Sequence, residues 1–277
     1  MRRNKNAAEK MFEQYYNFLH TPFTRDIPEK QLYTSPELDE VCSRLEYVAR
    51  NRLFAVVTGD VGTGKTTAIR KFAGMLDSNR YKVMYISDSA LTPRNFYWEV
   101  LNQFGCEAKY YRSDAKRQLT KEIENLIEIQ KRIPVIITDE AHLLSREMLE
   151  EIRFLLNFKM DSYNPMSLIL VGQSELKDIL KKQIYEAICQ GIDIRYSLSP
   201  YDRQRTEKHI RRHLEYAGES REIFTAKAID EIYEYSHGVP RKINRVCISS
   251  LLHGAQVQKK IIDDYMVRLI VEEELNW

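Results

Sequence analysis

The sequence predicts an α/β fold: a parallel sheet covered by helices around a phosphate-binding loop, followed by a small all-helical domain. Three observations predict it. Short β-rich apolar runs alternate with helical patterns as far as about residue 198, the arrangement that gives a sheet buried on both faces. The stretch GDVGTGKTT, Gly59 to Thr67, follows one of those runs directly. After Pro200 only helical patterns remain.

The elements follow in chain order. Residues 7–19 read as an amphipathic helix with Met11, Tyr15 and Leu19 along one side, broken by the two prolines of HTPFTRDIP. SPELDEVCSRLEYVARN starts a helix, with Ser35 as N-cap, Pro36 in the first turn and acids close behind. Strands are expected at 53–58, 81–88, in IPVIITDEAH, in MSLILVGQ and, shorter, in IDIRYSLSP. Helices are expected in TTAIRKFAGML, in TPRNFYWEVLNQFG with Thr92 as cap, in RQLTKEIENLIEIQKR, in SREMLEEIRFLLNF with Ser145 as cap, and in ELKDILKK. Three further helices and a final one near 263–273 follow Pro200. The domains are therefore placed at 1–199, an α/β nucleotide-binding core with an N-terminal helical segment, and 200–277, a helical lid.

The pattern G-x-x-x-x-G-K-[ST] at Gly59, Asp60, Val61, Gly62, Thr63, Gly64, Lys65 and Thr66, with Thr67 following, is a phosphate cradle. Gly59, Gly62 and Gly64 are expected to take backbone angles that a Cβ would forbid. Consecutive N–H groups then turn toward an anion, and the helix that follows adds its positive end. Lys65 is placed on the β- and γ-phosphates of ATP and the Thr66 hydroxyl on Mg²⁺. VIITDEAH supplies two acids at the end of a buried strand, the ligand edge of an open α/β sheet. Asp139 is placed on Mg²⁺ and Glu140 on the attacking water.

The chain has 277 residues and a net charge of +2, so any nucleic-acid surface must be a local patch. Cys42, Cys106, Cys189 and Cys247 are scattered and form no CxxC pair, which argues against zinc and for a reducing compartment. The basic N-terminus lacks the apolar region of a secretory signal. No run approaches the ~20 apolar residues that span a bilayer. A cytoplasmic, soluble protein with no membrane partner is expected.

The order of Gly59–Thr66, TDEAH, a polar residue after the next strand in ILVGQSEL, and GVPRKIN at 238–244 resembles an AAA+ ATPase. LVGQSEL, GVPRKIN and the opening FLHTPFTRDIPEKQLY look like the ExeA-type AAA ATPases, relatives of the transposition regulators TnsC and TniB. The resemblance implies that Gln173 is the first sensor of the γ-phosphate, with Ser174 a second choice, and that Arg241 is a lid arginine reaching the same phosphate. It also implies an arginine supplied by a neighbouring subunit of a homo-oligomer. Arg195 in QGIDIRYSL is the best match, although Gln190, Gly191 and Ile192 depart from the family's usual QRI. The adenine is expected between core and lid, with Leu32 and Tyr33 as pocket residues or, equally, ordinary core.

Two uses of ATP follow from the resemblance. One is a transposition helper that assembles on double-stranded DNA, largely independent of sequence, and recruits or activates a DDE-type transposase. The other is an ExeA-like ATPase for assembling secretion machinery. Members of that kind continue into a membrane span and a peptidoglycan-binding part, and the sequence to Trp277 shows neither, so the first reading is favoured. DEAH also occurs in helicases, but those need two nucleotide domains. A non-hydrolysing switch would not need Glu140. For DNA the candidates are Thr92 and Arg94 at a helix N-terminus, and Lys109, Arg112, Lys116 and Arg117 with two tyrosines among them. HIRRH and RKINR in the lid are further candidates.

Overall fold

Five apolar runs become the five strands of one parallel sheet in the computed structural model, which describes residues 12–24, 27–28, 31, 33–88, 91–156 and 164–275. By its contacts the chain divides into two units, Pro36–Val61 with Lys65–Leu198, and the residues up to Ser35 with Gly62–Gly64 and Ser199–Trp277. The sequence places the N-terminal segment with the nucleotide core; its contacts instead group it with the helical unit.

In the first unit, helix α1 (Pro36–Asn51) leads into β1 (Phe54–Gly59), the phosphate loop and α2 (Lys65–Met75). Then come β2 (Tyr81–Ile86), α3 (Pro93–Phe104), α4 (Arg112–Glu128) and β3 (Ile133–Thr138). A 3₁₀ turn at Ala141–Leu143 precedes α5 (Arg146–Leu156) and β4 (Ser167–Gly172). Short helices α6 (Glu175–Leu180) and α7 (Glu186–Gln190) lead to β5 (Ile194–Leu198). The strand order is β2-β3-β4-β1-β5.

Strand composition follows position. β1 and β4 are buried at every residue, while the edge strands β2 and β5 leave several residues partly or fully exposed. Side chains on a strand point to opposite faces in turn. Ala55, Val57, Val135, Ile137, Ile169 and Val171 pack on one face with Leu45, Val48 and Phe72. Phe54, Val56, Ile136, Leu168 and Leu170 pack on the other with Phe96, Tyr97, Leu119 and Ile152. Helix ends carry the expected caps. Thr92 accepts the Asn95 N–H at 3.2 Å and Ser145 the Met148 N–H at 3.2 Å. Gly105 ends α3 in the left-handed region, φ 86°. Helix α4 begins at Arg112, five residues before the expected start.

The helical unit contains α8 (Arg203–Tyr216), α9 (Ala226–Ser236), α10 (Pro240–Gln256) and α11 (Asp264–Ile270). Phe12, Tyr16 and Phe23 join its core with Ile210, Leu214, Phe224, Ile243 and Leu251. The helix expected at 7–19 is described from residue 12 and buries Phe12 and Tyr16 rather than Tyr15 and Leu19; Leu19 is 77% exposed and Met11 lies outside the described residues. Gly238, first in GVPRKIN, has φ 72°, and a Cβ there would sit 1.7 Å from the Tyr201 carbonyl oxygen. The Tyr201 N–H in turn donates to the Gly238 carbonyl at 2.8 Å. Among the described residues, no helix is long and apolar enough to cross a membrane.

Candidate active site

Parallel strands end on a common edge, and three neighbours deliver the chemistry there. β1 runs into the loop at 60–64, β3 into Asp139 and Glu140, and β4, between them, into Gln173 and Ser174. The register sets Thr58 beside Gly172 and Thr138 beside Leu170, so the three ends are level to within a few residues. Ligands of open α/β sheets bind outside this edge.

Gly62 and Gly64 take φ of 86° and 97°. A Cβ on Gly62 would approach the Arg241 Cβ to 2.8 Å and Val239 to 3.0 Å, so glycine is required twice over. Gly59 does not share this freedom. It closes β1 in ladder register with Leu198 and has no positive φ, so its place in the motif rests on strand geometry. The Lys65 ammonium donates to the carbonyls of Gly59 at 2.7 Å and Asp60 at 3.0 Å, which holds it within the loop. The Asp60 carboxylate accepts the Ser174 hydroxyl, tying the loop to the end of β4. Thr63 is buried, Val61 is exposed and Thr67 lies half-buried in the first turn of α2.

Thr66 Oγ1 faces Asp139 Oδ2 at 3.4 Å. Two hard oxygen donors held together beside a phosphate cradle fit Mg²⁺, which takes one or two protein ligands and completes its shell with phosphate oxygens and water. Asp139 is buried, and its second oxygen accepts the Glu140 N–H at 2.8 Å. Tyr85 OH donates to Asp139 Oδ2 at 2.6 Å. Burial first, then that bond and the carboxylate's charge, push the Tyr85 phenol far above its ordinary value. Tyr85 therefore stays a donor and fixes the carboxylate. The sequence marked β2 as a strand but held nothing to show that Tyr85 sits in register with Ile137 of β3.

Glu140 takes φ 53° and ψ 32°, a left-handed backbone at a residue with a full side chain. Its carboxylate is 46% exposed and lies 3.6 Å from His142 Nδ1. The Gln173 N–H donates to the same nitrogen at 3.4 Å. Arg241 lies in the helical unit, to which the loop tip Gly62–Gly64 also belongs, and its N–H donates to the Gly62 carbonyl at 3.3 Å. Arg195 is exposed on the edge strand β5 and donates to the Cys189 carbonyl at 2.5 Å. Three strand spacings, about 14 Å, separate β5 from β3, so Arg195 is not brought to Glu140 within one subunit. Tyr33 lies edge-on to Tyr201, at 5.7 Å, and to His209, at 6.0 Å; Leu32 is outside the described residues.

The basic residues singled out for DNA separate into two groups. Arg94 stacks on the exposed ring of Tyr110 at 4.3 Å, in the first turn of a helix whose cap is Thr92. Lys109 and Arg117 are exposed, Arg117 lying 3.7 Å from Asp114. Arg112 and Lys116 instead converge on Glu151, which is 3% exposed. Arg112 also pairs with Glu147 at 2.6 Å. Burial raises the Glu151 carboxyl, but hydrogen bonds from Tyr97, Lys116 and Arg112 outweigh it and hold the group below its ordinary value. The charges of Arg112 and Lys116 are thus balanced internally, an arrangement that spacing within α4 alone could not reveal.

Residues 48–180 match the family model of an AAA domain. The sheet order, the loop and the two acids described above all lie in or beside that segment. General secretion pathway protein A of Aeromonas hydrophila is 30% identical over 247 residues, and the alignment spans 87% of this chain and 44% of that protein. The solved structure of Cdc6p from Pyrobaculum aerophilum is similar with a TM-score of 0.72 at 17% identity, covering 92% of this chain and 70% of that one. Drosophila ORC bound to DNA matches with a TM-score of 0.71 at 15% identity, over 98% of this chain and 67% of that one. At such identity these two show the fold alone, a parallel α/β sheet around a phosphate loop with a helical C-terminal region.

Proposed function

We propose that this AAA domain hydrolyses ATP with Mg²⁺ and that hydrolysis controls a homo-oligomer assembled on double-stranded DNA, where it recruits or activates a DDE-type transposase. The observation that carries the catalytic part is the meeting of Thr66 and Asp139 at 3.4 Å, with Glu140 next in sequence and Lys65 in the adjoining loop. When bound, Mg²⁺ supplies charge neutralisation at the transferred phosphoryl group. Thr66 and Asp139 hold it, Tyr85 fixes Asp139, and Glu140 draws a proton from water. Gln173 and Arg241 read the γ-phosphate. Arg195, too distant from β3 to act within its own subunit, completes the site of a neighbour. Such an arginine makes turnover depend on assembly.

For DNA, the support is the exposed Arg94–Tyr110 pair at the start of α3, together with the DNA-bound state of the ORC neighbour. This reading puts the protein in the cytoplasm, where ATP and DNA are both at hand. The Aeromonas relative favours a second reading, remodelling of secretion machinery. Polarisation of a labelled duplex, with ATP, with ADP and without nucleotide across a salt series, separates the two. The DNA reading expects ATP-dependent, cooperative binding whose affinity falls steeply with salt. No binding with ATP at about 50 mM salt, in protein shown to hydrolyse ATP, sinks it and leaves secretion-type remodelling ahead. ATPase rates with Glu140→Gln, which should bind ATP and not turn it over, test the catalytic part.

A further inference from the structure

His142 has no place in the chemistry set out so far, yet it sits between two residues that do. It is carried on the 3₁₀ turn Ala141–Leu143, directly after the acidic pair, and its side chain is only 7% exposed. Its Nδ1 accepts the backbone N–H of Gln173 at 3.4 Å and lies 3.6 Å from Glu140 Oε2. While Nδ1 accepts from Gln173 it presents a lone pair there and no proton toward Glu140. The ring therefore acts on Glu140 by position, as a wall beside the carboxylate.

The turn that carries this ring is wedged against β4. A Cβ on Gly172 would come within 3.1 Å of the His142 backbone nitrogen and 2.9 Å of Leu176 Cδ2, so a side chain there would push the turn back by a few tenths of an ångström. The turn closes on itself through the Leu143 N–H and the Glu140 carbonyl at 2.9 Å. Glu140 holds a left-handed φ at the head of that turn. A shift of the β4 end is thus passed to the Glu140 side chain through one buried ring and one tight backbone contact.

Resting on the reading of Glu140 as base and Gln173 as phosphate sensor, we propose that His142 is a positioning residue coupling the two. Its imidazole, anchored through Nδ1 to the Gln173 backbone, sets the Glu140 carboxylate in line for the attacking water. When Gln173 engages the γ-phosphate, the same bond carries the change in β4 to Glu140, so water activation follows phosphate sensing.

The test is ATP turnover and nucleotide affinity in wild type, His142→Ala, His142→Asn, His142→Gln and, as the inactive reference, Glu140→Gln, with melting of each. His142→Ala should lower kcat about 10- to 100-fold, the usual cost of losing a group that orients a reacting one, while KM and ATP affinity stay within about threefold. His142→Asn puts an amide atom where Nδ1 stood and should recover most of the lost kcat. His142→Gln puts its amide near the Nε2 position and should not. Wild-type kcat in His142→Ala overturns the proposal. So does equal rescue by Asn and Gln, or a loss of kcat that merely tracks a loss of melting temperature. Wild type that never hydrolyses ATP, with its fold intact, overturns the parent reading and this one with it; turnover abolished in Glu140→Gln but untouched in His142→Ala overturns this one alone.

Discussion

Glu151→Ala, combined with Tyr97→Phe, tests how the first unit is held together behind its exposed basic patch. Glu151 is 3% exposed and receives Tyr97 OH, Arg112 and Lys116. Tyr97 is fully buried. Removing the carboxylate strands that hydroxyl, at about 1–3 kcal/mol. It also frees two cations whose side chains are 44% and 39% exposed, which lowers their share to about 0.5–1 kcal/mol each. Glu151→Ala should therefore cost about 3 kcal/mol, or roughly 6–12 °C for a unit of this size. Tyr97→Phe alone should cost about 1 kcal/mol. The double variant has no stranded hydroxyl, so it should cost about 2–2.5 kcal/mol rather than the additive 4. Urea unfolding followed by Trp98 fluorescence, in a Trp277→Phe background, reports on the unit concerned. Strict additivity would mean that Tyr97 finds another partner, and the account of Glu151 as the buried hub would be wrong.

The helical unit should be labile to mild acid. Burial pushes His209 down to about 4, its bond to Asn244 only partly opposing this, and burial with the neighbouring His209 pushes His213 well down. Both folded values lie below the unfolded ~6.5, so their contribution is complete above that pH and is lost as pH falls toward 4. Each neutral imidazole then costs about 1.4 kcal/mol per pH unit in that window; far-UV melts that do not change between pH 7 and pH 5 would contradict this. Tyr85→Phe should raise the Mg²⁺ concentration for half-maximal turnover about 10-fold with little change in ATP affinity, measured by Mg²⁺ titration of ATPase rate. Gly238→Ala should unfold the helical unit or cost it more than about 3 kcal/mol, because its methyl would overlap the Tyr201 carbonyl; a soluble variant with wild-type melting refutes it.

How much of this was readable depended on whether a feature is local. The phosphate loop, the Thr92 and Ser145 caps and the five strands are written in consecutive residues, and each is found where the pattern put it, within a few residues. That an acidic pair follows the end of β3 was legible, because an apolar run closing in charge marks the end of a buried strand. What escaped was pairing across the sheet and between helices. Tyr85 reaches Asp139 only because β2 neighbours β3, and Glu151 meets Arg112 and Lys116 only because α5 lies against that end of α4. The N-terminal stripe was misread by one position, because Phe12 and Tyr16 answer to a helical core that the short segment cannot itself specify.

The left-handed backbone of Glu140 sets selection for folding against selection for turnover at a single codon. A Cβ in that region costs about 1–2 kcal/mol, and glycine, or to a lesser degree asparagine, escapes it. A library screened only for thermal survival should therefore drift from glutamate to glycine at position 140, and each such clone should be more stable than its parent and catalytically silent. Populations screened for turnover should hold glutamate there and gather their stabilising changes elsewhere. On the reading of Glu140 as the base, a glycine or asparagine at position 140 is expected in descendants retained for their shape after the chemistry was lost.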